Sequence, residues 1–64
     1  MRIDRKKLAV KMIDKDLNVI QLSELSGLSR ATISNVRCGK SCSKETVRKI
    51  AKALEVEIED LIEV

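Results

Sequence analysis

The sequence predicts an all-α fold of five short helices closed into one compact bundle. Three observations carry that expectation. The 64 residues contain no proline and only two glycines, Gly27 and Gly39, so chain breakers are scarce. Apolar residues recur at helical rather than alternating spacing. Polar residues able to cap a helix, Asp4, Asn18, Ser29 and Ser43, stand in front of successive apolar runs. A chain of this length is expected to be one domain over residues 1–64, near the lower limit for folding without staples.

Asp4 caps a first helix over about 5–14. Its apolar set, Leu8, Ala9, Met12 and Ile13, lies on one face, and Lys6, Lys7, Lys11 and Lys15 look outward. Asp16, Leu17 and Asn18 break the pattern. Asn18 then caps a second helix, with Gln21 three residues on completing a capping box. Leu22 faces the core, and Gly27 ends the helix at a left-handed position. Leu28 is expected as a buried plug. Ser29 caps a third helix over 30–37, with Ala31 or Thr32, Ile33 and Val36 inward and Gly39 as its stop. Ser43 caps a fourth over 44–54, whose inner face is Val47, Ile50, Ala51 and Leu54. Val56 and Glu57 turn the chain, and a fifth helical segment, Ile58 to Ile62, adds Ile58, Leu61 and Ile62. None of these helices is long enough to be stable alone, so their apolar faces must meet.

What is missing narrows the function. There is no His, Trp, Tyr or Phe. Without His, the commonest metal ligand and the usual neutral-pH acid and base are lost, and no acids are framed as a catalytic pair, so neither an enzyme nor a metal or other cofactor is expected. Without aromatic rings there is no platform for stacking single-stranded bases. No apolar run can span a bilayer, no amphipathic face suits a membrane surface, and the N-terminus has no apolar stretch of the kind a signal peptide needs. A cytoplasmic protein is expected. Cys38 and Cys42 are too few for a disulfide framework or a zinc site, and free thiols are the expectation there.

Charge is unevenly distributed. Residues 1–52 hold all 13 Lys and Arg and carry a net charge of +8, whereas residues 53–64 carry −5. A basic body with an acidic end suits a polyanion approached from one side. A merely solvated basic helical surface gives the same count.

The informative stretch runs from Val19 to Cys38. Two helices crossing steeply at a tight turn need a small residue at their close approach, a glycine in the turn and aliphatic plugs beyond it. Ser23, Gly27, and Leu28 with Ile33 and Val36 meet those needs, which are the needs of a helix-turn-helix. Ser29 adds exposed N–H groups and a positive dipole end at the start of the second of the two helices.

With this stretch the chain resembles the phage-repressor, Cro and Xre-like (lambda-repressor-like) helix-turn-helix regulators. The likeness is carried by Gln21-Leu22-Ser23, Ser26-Gly27-Leu28-Ser29, Arg30-Ala31-Thr32-Ile33-Ser34 and Gly39-Lys40. It continues through Thr46 to Leu54, then Val56 and Asp60-Leu61-Ile62, covering about residues 5–62. It implies five helices with the third in the major groove of double-stranded DNA. By position, Arg30, Ala31, Thr32, Ser34 and Asn35 would read bases. Arg30 is suited to guanine O6 and N7, and Asn35 to adenine N6 and N7. Phosphate contacts would come from Asn18, Gln21, Ser29, Arg37, Lys40, Ser41, Ser43 and Lys44.

The chain departs from the family pattern in three places. Val19 stands where a phosphate-touching Gln is usual, moving that contact to Asn18 or Gln21. Met12 and Arg37 stand where an Arg–Glu pair is common, so Met12 fills apolar space and Arg37 is released. Cys42 stands where Pro is frequent. The resemblance implies a small repressor binding a pseudo-palindromic operator as a homodimer. The apolar C-terminal strip, Val56, Ile58, Leu61, Ile62 and Val64 with Glu57, is the candidate dimer interface. Surrounding glutamates would keep the free dimer weak. With no room for a sensor domain, regulation would fall to concentration, proteolysis or a regulatory protein partner. The alternative is a protein-interaction module, an antirepressor or antitoxin, built on the same bundle.

Overall fold

The computed structural model describes residues 2–63. Four α-helices follow one another: α1 (Arg5–Asp14), α2 (Val19–Ser26), α3 (Arg30–Arg37) and α4 (Lys44–Leu54). Each begins where a side chain takes up orphan N–H groups. Asp4 accepts from the Lys6 and Lys7 amides, Ser29 from that of Thr32, and Ser43 from that of Thr46. At α2 the capping box is complete: the Gln21 amide donates to Asn18 Oδ1 at 2.8 Å, and the Asn18 amide to Gln21 Oε1 at 3.0 Å.

All four helices end at a left-handed residue. Gly27 (φ 74°) and Gly39 (φ 87°) do so at little steric cost, whereas Asp16 (φ 54°) and Glu55 (φ 58°) carry a Cβ into that region. Three of these ends close with paired backbone hydrogen bonds. Leu17 N–H reaches Met12 O, Lys40 reaches Asn35 O, and Val56 reaches Ala51 O, each across five residues, with a shorter bond inside. The α2 end closes with the single Gly27 N–H to Ser23 O bond at 3.0 Å.

The fifth helix is not formed as an α-helix. Its place is taken by one 3₁₀ turn, Ile58–Asp60, closed by Asp60 N–H to Glu57 O and Leu61 N–H to Ile58 O. The chain cannot propagate a helix there because it turns at once to meet the other end of the molecule. Ile3 and Ile62 form an isolated antiparallel bridge, Asp4 N–H donates to Leu61 O at 2.7 Å, and Glu63 N–H to Arg2 O at 3.1 Å.

Helix α2 packs on both α3 and α4, α1 packs on α3, and the 3₁₀ turn on α4. Leu8 and Met12 enter the core from α1, Leu22 from α2, Ile33 and Val36 from α3, and Val47, Ile50, Ala51 and Leu54 from α4. Ile3 and Leu61 complete it, both fully buried, and no polar side chain is buried with them among the described residues.

Some expectations for single residues change. Ile13 is 73% exposed, because Leu8 and Met12 hold the line facing α3 and Ile13 falls on the uncovered edge. Leu28 packs against the core but is only half-buried. Lys7 is also half-buried, and its Nζ donates to Ile62 O at 3.3 Å rather than pointing into solvent. Leu61 is a core residue and has no surface left for a dimer interface. Val64 lies outside the described residues.

Candidate nucleic-acid interface

The turn between α2 and α3 is fixed by side chains as well as by Gly27. Ser23 Oγ donates to Leu28 O at 2.8 Å, tying the body of α2 to the residue that leads into α3. Ser26 Oγ accepts from the Leu28 amide at 3.3 Å. Ser23 is therefore more than a small residue at a close approach. Its hydroxyl holds the angle at which α3 leaves, a role that residue size alone did not reveal.

With Ile33 and Val36 buried, the rest of α3 is turned outward. Arg30, Ala31, Ser34 and Asn35 are exposed, forming a polar face of one guanidinium, one amide and one hydroxyl around a methyl group. These groups match base edges: a forked donor for guanine, a paired donor and acceptor for adenine, and a methyl for the thymine methyl. Thr32 differs. It is half-buried, and its Oγ1 lies 2.8 Å from Ser29 Oγ, so its hydroxyl is engaged in capping α3. Between Ala31 and Thr32, the sequence left the inner position open, and Thr32 takes it.

The candidate phosphate ligands fall into two groups beside this face. At the start of α2, the capping box uses the amide oxygens of Asn18 and Gln21. Their NH₂ groups remain to donate outward. Arg37, exposed at the end of α3, lines a groove of about 500 Å³ together with Asn18 and Val19. It makes no ion pair among the described residues, while Met12 is buried beside the same groove. The second group, Lys40, Ser41, Ser43 and Lys44, is exposed in and just after the loop following Gly39. Ser43 Oγ is committed to capping, at 3.1 Å from the Thr46 amide and 2.9 Å from Thr46 Oγ1.

The groove beside Arg37 also exposes apolar surface that the sequence did not announce. Ile13 and Ile20 line it, and Ile20 is 47% exposed. Near the loop, Cys38 is exposed and Cys42 half-buried, both as free thiols, and burial pushes the Cys42 thiol up from its ordinary value.

Comparison with known proteins identifies the arrangement. A family model described as the Cro/C1-type HTH DNA-binding domain matches residues 7–64. The chain belongs to this family. The Cro/C1-type domain also has solved counterparts. The restriction-modification controller protein C.AhdI from Aeromonas hydrophila is 30% identical over 88% of this chain and 86% of its own, with a TM-score of 0.81. A hydroxyethylphosphonate dioxygenase variant and native PhpD with cadmium are each 28% identical over the whole of this chain, with TM-scores of 0.88 and 0.85. The Cro/C1-type chain spans only 14% of the length of those two. No curated protein matches. Among the described residues no helix is long and apolar enough to cross a membrane, and no group of three or more ligating side chains could hold a metal ion.

Proposed function

We propose that this Cro/C1-type domain is a sequence-specific transcription regulator, a small repressor that binds a pseudo-palindromic operator as a dimer. The carrying observation is the exposed polar face of α3, Arg30, Ala31, Ser34 and Asn35, set behind a turn held by Gly27 and Ser23. Asn18, Gln21 and Arg37 take phosphates as one group, and Lys40, Ser41 and Lys44 as a second. Ser29 and Ser43 present the N-termini of α3 and α4. The likeness to a restriction-modification controller supports the regulatory reading.

Val56, Ile58 and Ile62 are half-buried against the core and Glu57 is exposed, which leaves them available for a two-fold contact. Neighbouring acids, Glu55, Glu57, Glu59 and Glu63, repel across such an axis, so DNA assembles the dimer by bringing two protomers to adjacent half-sites.

The test is binding to duplexes selected from random sequence, measured against salt. With roughly four to six phosphate contacts per protomer, log K falls against log[salt] with a slope of about −4 to −5 per protomer. The exposed Ile13 and Ile20, which share one groove, favour a second reading, a module that binds protein. A flat salt response with no selected sequence sinks the DNA reading and leaves that one.

A further inference from the structure

On the outer face of α4, Lys44, Arg48 and Lys52 recur every four residues, all exposed, and line one shallow groove with Glu45 and Lys49. At 1.5 Å per residue the row is about 12 Å long. The acid in that groove, Glu45, is taken by Lys49 at 3.6 Å. Lys44, Arg48 and Lys52 have no ion-pair partner among the described residues.

Local physics opposes this row. Like charges at i,i+4 destabilise a helix, and two such pairs occur in succession. Lys44 is also the first residue of α4, where the positive end of the helix dipole repels a cation, whereas Lys52 in the last turn meets the favourable negative end. The packing of α4 rests on Val47, Ile50, Ala51 and Leu54, so these charges add nothing to the core. Cations kept against their helix's own preferences are relieved by a polyanion laid along them, and such local conflicts mark functional surfaces. The row starts at Lys44, itself one of the proposed phosphate contacts, and runs from it along α4.

We infer that Lys44, Arg48 and Lys52 form a second phosphate-binding strip, which holds the DNA backbone flanking the operator. This rests on the DNA-binding reading above. Twelve ångströms is about the rise of three to four base pairs, so each protomer takes up that much duplex beyond its half-site. The row leaves the surface of α3 and follows α4, so one duplex touches both only by curving towards the protein.

The experiment compares two duplexes carrying the same selected operator, one ending at the operator and one with about ten further base pairs on each side. Wild type, Arg48→Gln, Lys52→Gln and the double variant are titrated on both, and thermal midpoints are recorded. Wild type is expected to bind the flanked duplex about tenfold tighter. The double variant is expected to lose that gain, with a salt slope shallower by about two on the flanked duplex alone. Its affinity for the short duplex stays unchanged. Its thermal midpoint stays close to that of wild type, since relief of the i,i+4 repulsion is offset by the loss of Lys52 at the negative end of α4. Equal binding of the two duplexes by wild type overturns the strip, as does an equal loss by the double variant on both. A wild-type protein that binds neither duplex in low salt overturns the DNA reading itself, whereas flank-independent binding overturns only this inference.

Discussion

Arg30 and Asn35 stand exposed on α3, on the face proposed to read bases, while Lys44 lies at the start of α4, beyond the loop. That difference in position sets different consequences for removing each. Arg30→Ala and Asn35→Ala are expected to cost about 1–3 kcal/mol on the preferred duplex and to relax preference at one base pair each. Lys44→Ala should weaken all duplexes alike. Competition binding against single-base variants of the operator checks this, and uniform loss for Asn35→Ala would mean that it touches only backbone. The thiols provide a second residue-scale test. Burial disfavours the Cys42 thiolate, so at a given pH Cys42 is less ionised than an ordinary thiol and less accessible than exposed Cys38. Iodoacetamide should therefore label Cys38 first, as peptide mapping would show. The same shift has a sign in stability. Below the ordinary thiol range both states keep the proton and nothing changes. As pH rises through that range the unfolded chain ionises first, and stability is lost.

At the level of elements, the helix-turn-helix depends on a few polar ends rather than on long helices. Ser29 Oγ accepts from the Thr32 amide at 3.1 Å and lies 2.8 Å from the Thr32 hydroxyl. Ser29→Ala removes the cap of an eight-residue helix and is expected to cost about 0.5–2 kcal/mol. Gly27→Ala separates two causes. A Cβ there meets nothing within 4 Å, so the cost is conformational alone, about 1–2 kcal/mol for holding alanine at φ 74°. Urea unfolding of both variants tests these values, and a much larger loss for Gly27→Ala would point to a steric clash. Glu55 stays at φ 58° while its carboxylate pairs with Lys15 at 3.3 Å, linking the ends of α4 and α1.

For the molecule as a whole, closure comes from the chain ends. Ile3 and Leu61 are fully buried, and the Ile3–Ile62 bridge joins segments almost a full chain length apart. Leu61→Ala is expected to cost about 2–5 kcal/mol. A 64-residue domain has only about 3–10 kcal/mol at roughly 0.05–0.15 per residue. The variant should therefore be partly unfolded at 37 °C by circular dichroism. Ile58 differs, being half-buried against the core with part of its surface open. Ile58→Glu should reduce cooperative operator binding more than it reduces the helical signal. Sedimentation with and without operator checks the assembly itself. A monomer or weak dimer at micromolar concentration becoming two protomers per operator is the expected outcome, and a tight free dimer would refute the charge argument.

The sequence by itself determined the four α-helices, their caps and the helix-turn-helix, because these follow from interactions within a few residues. Asp4, Asn18, Ser29 and Ser43 start helices through their own side chains, and Gly27 and Gly39 stop them through their own backbone freedom. The outward polar face of α3 was legible for the same reason, since Ile33 and Val36 fix which side is buried. Tertiary structure decided what depends on a distant partner. Ile3 belongs to no helical pattern and enters the core only because residue 62 pairs with it. Leu61 and Ile62 read alike in sequence, yet one is sealed and the other half-buried, as the 3₁₀ turn sets their directions. Ile13 reads as core and is exposed, because periodicity defines a helix face but not how far the neighbouring helices extend to cover it.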